Sequence, residues 1–283
     1  MKHRFLTLFA LLACSAAYAQ LPPIITAWKI NTTGATGYNN IAANVQSVQY
    51  STNNVYVSCT DVPDYSIGPW GMNPNVASNQ NFVYKFTRNP QKNNGTLTAI
   101  GLGHTGALLN GVSIFNCDDG MTYNNDGVWH RNAYVFEGQS LDACGGHPQQ
   151  DGEYHNHYNP SCVYDIYDST HHSPLLGFMF DGYPVYGIYA YSDTDGTGPI
   201  RIMQSSYQLR NITDRTTLPD GSTASATGPA ISSTYPLGSF LQDYVYVAGS
   251  GDLDEHNGRW CVTPEYPNGT YAYFFSVDAT LTP

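Results

Sequence analysis

Residues 180–186, Phe-Asp-Gly-Tyr-Pro-Val-Tyr, place an Asp-Gly pair directly before a short run of aromatic and β-branched residues. Such a pair favours a tight turn, and the run that follows it favours a strand. Residues 109–115, Leu-Asn-Gly-Val-Ser-Ile-Phe, have the same form 71 residues earlier. The two stretches indicate either a structural repeat or two independent turns, since both dipeptides favour such turns in any chain. If the repeat is real, Asp181 is the copy that carries a carboxylate.

Short runs of aromatic and β-branched residues recur along the rest of the chain, and no stretch of a dozen residues keeps the apolar period of a helix. The 27 glycines and 17 prolines interrupt the chain too often for long helices. We therefore expect a mainly β fold, a sandwich- or barrel-like single domain with short strands, long loops and little helix. The predicted strands are 24–30, 45–50, 55–59, 82–86, 133–136, 185–189, 244–247 and 271–277.

Residues 1–19 have the features of a secretory signal peptide. Two basic residues precede an apolar run from 5 to 13, and the small-residue site Ala17-Tyr18-Ala19 predicts cleavage after Ala19. The alternative is a lipoprotein anchored through Cys14, although the residues before it fit that signal poorly. No later segment has the roughly 18 consecutive apolar residues of a membrane helix. We therefore expect a secreted or periplasmic protein without a membrane span.

The chain is acidic, with a formal net charge of −11, and only 12% of its residues are charged. An acidic surface repels the phosphate backbone, so we exclude nucleic acid as a partner. The chain has 23 tyrosines, which can supply aromatic surface for stacking on sugar rings. The candidate partners are therefore an unidentified small molecule, carbohydrate or a component of the extracellular matrix.

Five of the six cysteines follow the predicted cleavage site. Pairing is the rule in exported proteins, but an odd number leaves at least one thiol without an intramolecular partner. The first expected pair is Cys144 with Cys162, which flank a histidine-rich segment and would close a loop of about 18 residues. The second expected pair is Cys59 with Cys117.

The segment 144–158, Cys-Gly-Gly-His-Pro-Gln-Gln-Asp-Gly-Glu-Tyr-His-Asn-His-Tyr, holds three of the nine histidines. On an extended strand, residues two apart share a face, so His155 and His157 would present two imidazoles side by side. His147 precedes a Gly-containing loop that could return it to the same point. Three nitrogen donors are typical of open catalytic zinc sites and also suit copper. The alternative is that these histidines only pack and hydrogen-bond beside aromatic neighbours.

Other residues could complete such a site. Asp181 and Asp254, the latter in an acidic segment at 252–256, are the candidate carboxylate ligands. Glu153 shares a strand face with His155, so it is the candidate general base or a partner that orients an imidazole. Its alternative is a solvent-facing role at the start of the strand. The pair 171–172 adds two histidines, but adjacent residues on a strand point to opposite faces and would not share one ion.

Residues 154–157, Tyr-His-Asn-His, resemble the Tyr-His-Tyr-His motif that names the YHYH domain proteins. The resemblance covers about residues 105 to 280 and predicts a YHYH domain there. It implies an exported domain but no particular reaction. We expect residues 20–104 to form an N-terminal β region packed on the same core. The other stretches that carry the resemblance are 142–148, 177–187, 251–259, 261–267 and 271–274.

Two positions depart from the pattern of that family. Asn156 stands where the naming motif has its second tyrosine, which leaves both histidines in place. His256 stands where the family pattern leads us to expect a cysteine, so Cys261 would lack its partner. The first departure does not affect the metal hypothesis, and the second would account for the odd cysteine.

Two classes of function fit these observations. The leading hypothesis is a secreted domain in which His147, His155 and His157 bind zinc or copper. If that site is catalytic, hydrolysis is the simplest chemistry, with Glu153 as the base, because such an ion lowers the pKa of a bound water. The alternative is a metal-free extracellular module for carbohydrate or matrix components, in which aromatic rings bind the ligand and the histidines are structural.

Overall fold

The computed structural model describes residues 21–96, 98–278 and 281. Its regular elements are 17 strands, two short α-helices and four 3₁₀ helices, all within those residues, so the prediction of a mainly β fold with little helix is confirmed. The expected signal peptide, with its cleavage after Ala19 and the alternative lipidation of Cys14, lies outside the described residues. Within the described part of the chain, no helix has the length and apolar character needed to cross a membrane.

The strands are numbered in chain order. They are β1 (Val45–Tyr50), β2 (Asn54–Cys59), β3 (Phe82–Thr87), β4 (His104–Leu108), β5 (Ser113–Phe115), β6 (Asp118–Thr122), β7 (His130–Asn132), β8 (Gly146–Pro148), β9 (Tyr154–Asn156), β10 (Leu175–Met179), β11 (Pro184–Tyr186), β12 (Tyr189–Tyr191), β13 (Ile200–Ile202), β14 (Tyr207–Leu209), β15 (Tyr244–Tyr246), β16 (Gly258–Thr263) and β17 (Tyr266–Phe274). The helices are α1 (Pro23–Thr26) and α2 (Ala133–Glu137), and the 3₁₀ helices are Tyr38–Asn40, Tyr123–Asn125, Gly138–Ser140 and Leu241–Asp243.

The largest sheet has the strand order β16-β17-β11-β10-β4-β5-β9-β8, which is symmetric about its centre. At that centre β4 pairs with β10, with Ala107 opposite Phe178. On one side of the centre, β5 pairs in parallel with β9, and β9 pairs antiparallel with β8. On the other side, β11 pairs in parallel with β17, and β17 pairs antiparallel with β16. We call β4, β5, β8 and β9 the first half and β10, β11, β16 and β17 the second half. The two halves therefore have the same sequence of strand pairings, counted outward from the centre of the sheet.

The similarity of residues 109–115 and 180–186 is part of this repeat. Residues 109–115 form the turn and second strand of the β4–β5 hairpin, and residues 180–186 form those of the β10–β11 hairpin. The side-chain oxygen of Asn110 or Asp181 accepts a hydrogen bond from the backbone N–H two residues later, at 3.0 and 3.1 Å. Gly111 and Gly182 have φ values of 87° and 90°, which other residues rarely adopt. The two turns therefore have the same geometry for the same physical reason.

A second, three-stranded sheet of order β1-β2-β3 packs on the large one. The core between them includes Val57 and Phe86 from the small sheet and Phe178 and Phe274 from the large one, with Trp28 beside Phe86 and Phe178. The large sheet ends in two edge strands, β16 and β8, so it does not close on itself. Of the two predicted architectures, the sandwich-like one is therefore observed.

Two of the predicted strands are wrong, because residues 24–26 and 133–136 are helical. Just before the first stretch, Pro23 occupies the first turn of α1, where its missing N–H costs nothing, and the indole of Trp28 donates to the carbonyl of Ile24 at 2.7 Å. Within 133–136, the side chain of Asn132 caps α2 by accepting from the N–H of Tyr134. Local capping therefore overrides the strand preference of the aromatic and β-branched residues in both places.

The disulfide between Cys144 and Cys162 is confirmed. The expected pair of Cys59 and Cys117 is wrong, since both thiols are free. Cys59 ends β2 with its side chain buried, and its Sγ lies 3.3 Å from the carbonyl of Gly111, whereas Cys117 is exposed just before β6. Cys261 is also free and buried, in agreement with the missing partner at His256.

Candidate metal centre

Two paired strands bring the three histidines together. His147 on β8 lies directly opposite His155 on β9, and His157 follows two residues later. The tight loop between these strands needs Gly152, whose φ is 88° and whose position would bring a Cβ within 2.2 Å of the Ser78 hydroxyl. The predicted geometry of His155 and His157 is therefore observed. His147 reaches the same point because this Gly152-containing loop turns the chain back and pairs β8 with β9, as the sequence predicts.

The imidazoles form a compact and buried group, which we call the histidine cluster (His147, His155 and His157). One ring nitrogen from each lies within 4.8 Å of the others, and the Nε2 atoms of His155 and His157 are 3.1 Å apart. His147 and His155 are 5% and 2% exposed. Phe115 stacks on His155 with ring centroids 3.8 Å apart, which fixes the plane of that imidazole. It is the one group of three or more potential metal ligands in the described part of the chain.

Each imidazole of the cluster is oriented through its Nδ1 atom. The carbonyls of Glu153 and Asn116 lie 3.1 and 2.6 Å from the Nδ1 atoms of His155 and His157. Since a carbonyl only accepts, both Nδ1 atoms carry the hydrogen. The Nε2 atom of each is therefore left with a free lone pair.

Ser140 completes the same arrangement at His147. Its hydroxyl donates to the carbonyl of Glu137 at 2.7 Å and lies 2.8 Å from His147 Nδ1. Because the single hydroxyl hydrogen is used on the carbonyl, the Nδ1–H of His147 donates to the hydroxyl oxygen. All three Nε2 atoms consequently face inward as acceptors. Histidine ligands of metals are oriented in this way by partners of their other nitrogen.

Burial favours the neutral form of His147 and His155. Burial lowers the pKa of His155 well below its usual value, and the neighbouring His157 and His147 lower it further. Burial also lowers the pKa of His147, against the opposing effect of Glu137. A neutral imidazole is the form that binds metal.

Glu137 lies beside the cluster, and sequence reasoning missed it. Its Oε2 atom is 3.1 Å from Nε2 of His157 and 3.7 Å from Nε2 of His147. That oxygen is buried, and no group in the described part of the chain donates a hydrogen bond to it. Its position ten residues before His147, directly after the predicted strand 133–136, gave no local signal of this proximity.

The Glu153 carboxylate is directed away from the cluster. It lies 2.9 Å from Nδ1 of His104 and accepts hydrogen bonds from Ser113 and Gln149, both at 2.7 Å. Only the backbone carbonyl of Glu153 touches the site, through His155 Nδ1. Its predicted role as a base stays untested, and its side chain belongs to a separate buried network.

Neither of the predicted aspartate ligands joins the histidine cluster. Asp181 accepts a hydrogen bond from the hydroxyl of Tyr273 at 2.6 Å, and Asp254 accepts one from the hydroxyl of Tyr271 at 2.9 Å. Both lie in the second half of the sheet. The histidines at 171 and 172 are also outside the cluster, and His171 pairs with Asp168 at the surface.

The second half repeats the frame of the site without its ligands. Asp254 accepts from the N–H groups of residues 256 and 258 and from the Tyr271 hydroxyl, as Asp142 does from residues 144 and 146 and Tyr154. The strand registers align His147, His155 and His157 with Arg259, Ala272 and Phe274.

Arg259 places a cation in the second half. It is 8% exposed, its guanidinium lies 5.7 Å from the ring centre of Phe274, and it donates to the carbonyl of Tyr191. The equivalent point in the first half has imidazoles and the carboxylate of Glu137, with no arginine or lysine among the described residues there. The first half therefore has no counterpart to the positive charge of the Arg259 guanidinium.

One family model, described as YHYH protein, matches residues 83–283. The match contains both halves of the large sheet and the histidine cluster. It begins before residue 105, where we expect the domain to start, and the domain boundaries stay a prediction. Neither the curated proteins nor the solved structures give a significant match to this chain.

Proposed function

The chain belongs to the YHYH protein family, and we propose that it binds one transition metal ion, zinc or copper, through Nε2 of His147, His155 and His157. The observation that carries this proposal is the convergence of three buried Nε2 lone pairs. Each Nδ1 hydrogen is used on an acceptor, so two unprotonated nitrogens stand 3.1 Å apart at His155 and His157. A cation bound between them removes that repulsion, and three imidazoles suit zinc and copper.

A single proton is the competing explanation. His157 could carry hydrogens on both nitrogens and pair with Glu137, at 3.1 Å. That arrangement would leave out His147, because its Nε2 lies 3.7 Å from the carboxylate, beyond hydrogen-bond length. A metal ion uses all three nitrogens and explains why Ser140 orients His147 as well. We therefore favour the metal.

Elemental analysis of the purified protein tests the proposal. We expect about one equivalent of zinc or copper per chain, and loss of that metal in a His155→Ala, His157→Ala variant that still folds. His256→Ala is the matched control, because this histidine is exposed and lies outside the cluster. Wild-type protein that contains no metal and takes up neither zinc nor copper would contradict the proposal.

Hydrolysis is the reaction that such an ion would support, because three imidazole ligands bring the pKa of a metal-bound water to about 7. Glu137 is the carboxylate placed to receive the proton, since the side chain of Glu153 is committed to His104, Ser113 and Gln149. Turnover of an activated ester that is lost with a chelator and restored by zinc would support this extension. Absence of turnover by the metal-loaded protein would exclude it for esters and leave metal binding standing.

Export is part of the same proposal. The disulfide of Cys144 and Cys162 supports it, because such bonds persist in oxidising compartments. N-terminal sequencing of exported protein should give Gln20 as the first residue. Retention of the intact N-terminus on protein inside the cell would count against export.

Trp260 favours a second candidate function, binding of carbohydrate. Its side chain is 57% exposed on the edge strand β16, with Tyr183 and Tyr271 edge-on at 6.1 Å. Exposed indole rings stack on sugars. A glycan array compared between wild type and Trp260→Ala tests this function. Binding that disappears only in the variant would support it, and no binding by wild type would count against it.

A further inference from the structure

We propose that Glu137 is the fourth ligand of this ion and that its carboxylate makes the site prefer zinc to copper(I). This inference rests on the proposed function, since it concerns the same ion. It does not depend on catalysis: in the hydrolytic extension, water would first replace this carboxylate on the ion, and the released carboxylate would then be the base.

Three of the six distances among the four atoms fit one small ion. Tetrahedral ligands at about 2.1 Å from zinc stand roughly 3.4 Å from one another. Nε2 of His157 lies 3.1 Å from Nε2 of His155 and 3.1 Å from Oε2 of Glu137, and that oxygen lies 3.7 Å from Nε2 of His147. These three distances lie on either side of the ligand–ligand separation expected for zinc. The nitrogen atoms of the three histidines lie within 4.8 Å of one another, so the His147 imidazole has to move inward for the shell to close.

The Glu137 oxygen has no other partner. Oε2 is buried and accepts no hydrogen bond from any described group, and a buried carboxylate oxygen without a partner is costly. All three neighbouring Nε2 atoms are acceptors, so they cannot serve it. A cation shared by the four atoms satisfies every one of them at once.

The segment around Glu137 is held in place on both sides. The Asn132 cap begins α2, and the N–H of Asn132 also donates to the carbonyl of Ser239 at 2.9 Å. Phe136 packs on Phe240 with ring centroids 5.6 Å apart. At the other end, the Glu137 carbonyl accepts from Ser140, the residue that orients His147. Glu137 therefore places its carboxylate beside the histidine cluster, and its carbonyl, through Ser140, fixes the tautomer of His147.

The donor set determines the selectivity. Three imidazoles alone accommodate zinc and copper alike, whereas an anionic oxygen ligand is hard and stabilises a divalent ion much more than soft copper(I). The side chain of Glu137 is 27% exposed, in contrast to 7% for His147. The carboxylate is thus the ligand nearest to solvent, where water can replace it.

Competition titrations with chelators test the inference on the full protein, for zinc and for copper(I) separately. We expect Glu137→Gln to weaken zinc binding by at least the 10–100-fold typical of lost supporting partners, and to change copper(I) binding by less than threefold. Glu255→Gln, which removes an exposed carboxylate outside the cluster, is the matched control. The visible spectrum of the cobalt(II) protein should also change in the Glu137 variant, because one ligand is replaced.

If Glu137→Gln does not fold, Glu137→His keeps a ligand at this position and should shift the preference towards copper. Zinc affinity equal to that of the control, or an unchanged zinc-to-copper ratio in either variant, would overturn the inference while wild type still bound one ion. Wild type that binds no metal would overturn both this inference and the proposed function.

Discussion

At the scale of the single residue, Ser140 determines which nitrogen of His147 is available. Its hydroxyl hydrogen is donated to the Glu137 carbonyl, so its oxygen can only accept from His147 Nδ1. Ser140→Ala removes that acceptor and allows the imidazole to rotate or change tautomer.

We expect Ser140→Ala to weaken metal binding by about 10–100-fold while the fold is kept. Ser161→Ala is the control, because that hydroxyl also donates to a carbonyl, that of Ala143, without contacting a histidine of the cluster. The measurement is the zinc dissociation constant from chelator competition. Equal constants for the two variants would show that Ser140 does not orient His147.

The protonation of Asp61 affects the stability of the fold. Its Oδ1 atom and the Glu153 Oε1 atom both lie within 3.0 Å of the Ser113 hydroxyl, which has one hydrogen to give. Burial, followed by the charge of Glu153, raises the pKa of Asp61 well above its usual value. Asp61 therefore keeps its proton to a higher pH in the folded protein than in the unfolded chain.

The raised pKa of Asp61 predicts a stability effect of definite sign. Its contribution is fully present below about pH 4, and it is lost as the pH rises towards the folded-state pKa, by up to about 1.4 kcal/mol per pH unit. Asp61→Asn should abolish this part of the pH dependence, so the variant gains on wild type between pH 4.5 and 7.5 in urea unfolding. Asp220→Asn, at an exposed position, is the control. Parallel pH profiles for wild type and Asp61→Asn would contradict the assignment of the proton.

At the scale of the element, the β8–β9 hairpin carries the site and the disulfide restrains it. Cys144 stands three residues before His147, and Cys162 stands five residues after His157. The sequence predicted this restraint and the shared face of His155 and His157, because both follow from local spacing. It could not predict Glu137, because that contact depends on α2 and on its packing against residues near Ser239 and Phe240.

Removal of the disulfide in a Cys144→Ser, Cys162→Ser variant should lower the free energy of unfolding by about 3 kcal/mol, the value for a loop of this length. It should also weaken metal binding, because the strand that carries His147 loses its anchor. Cys117→Ser is the control, since that thiol is free and exposed. Denaturant unfolding with and without zinc measures both effects. An unchanged zinc affinity in the double variant would show that the hairpin needs no covalent restraint.

At the scale of the whole molecule, the large sheet repeats one strand arrangement, and within the described part of the chain only the first half has a group of potential metal ligands. The Asn-Gly and Asp-Gly turns were visible in the sequence, but the alignment of the cluster with Arg259, Ala272 and Phe274 was not, because the loops between these segments differ in length. Because of the repeat, Asp142 and Asp254 accept equivalent hydrogen bonds. Each supports a turn opposite a tyrosine, and Gly146 or Gly258 leaves room for that tyrosine ring.

The repeat provides a matched pair of variants. Asp142→Asn and Asp254→Asn each weaken equivalent charge-assisted hydrogen bonds, so each should lower the free energy of unfolding by about 1–3 kcal/mol. Only Asp142→Asn should reduce zinc affinity, because only its turn leads to a histidine of the cluster. Unfolding curves and metal titrations on both variants check this. Loss of metal in Asp254→Asn would instead support the sequence prediction of Asp254 as a ligand.

The central claim is that one ion sits between three Nε2 atoms, and anomalous X-ray diffraction tests it most directly. Data collected on either side of the zinc and copper absorption edges should show one peak per chain, about 2.0–2.1 Å from Nε2 of His147, His155 and His157. The same peak should lie within ligand distance of Glu137 Oε2, and none should lie beside Arg259. Crystals grown with zinc or copper that show no anomalous peak at the cluster would contradict it.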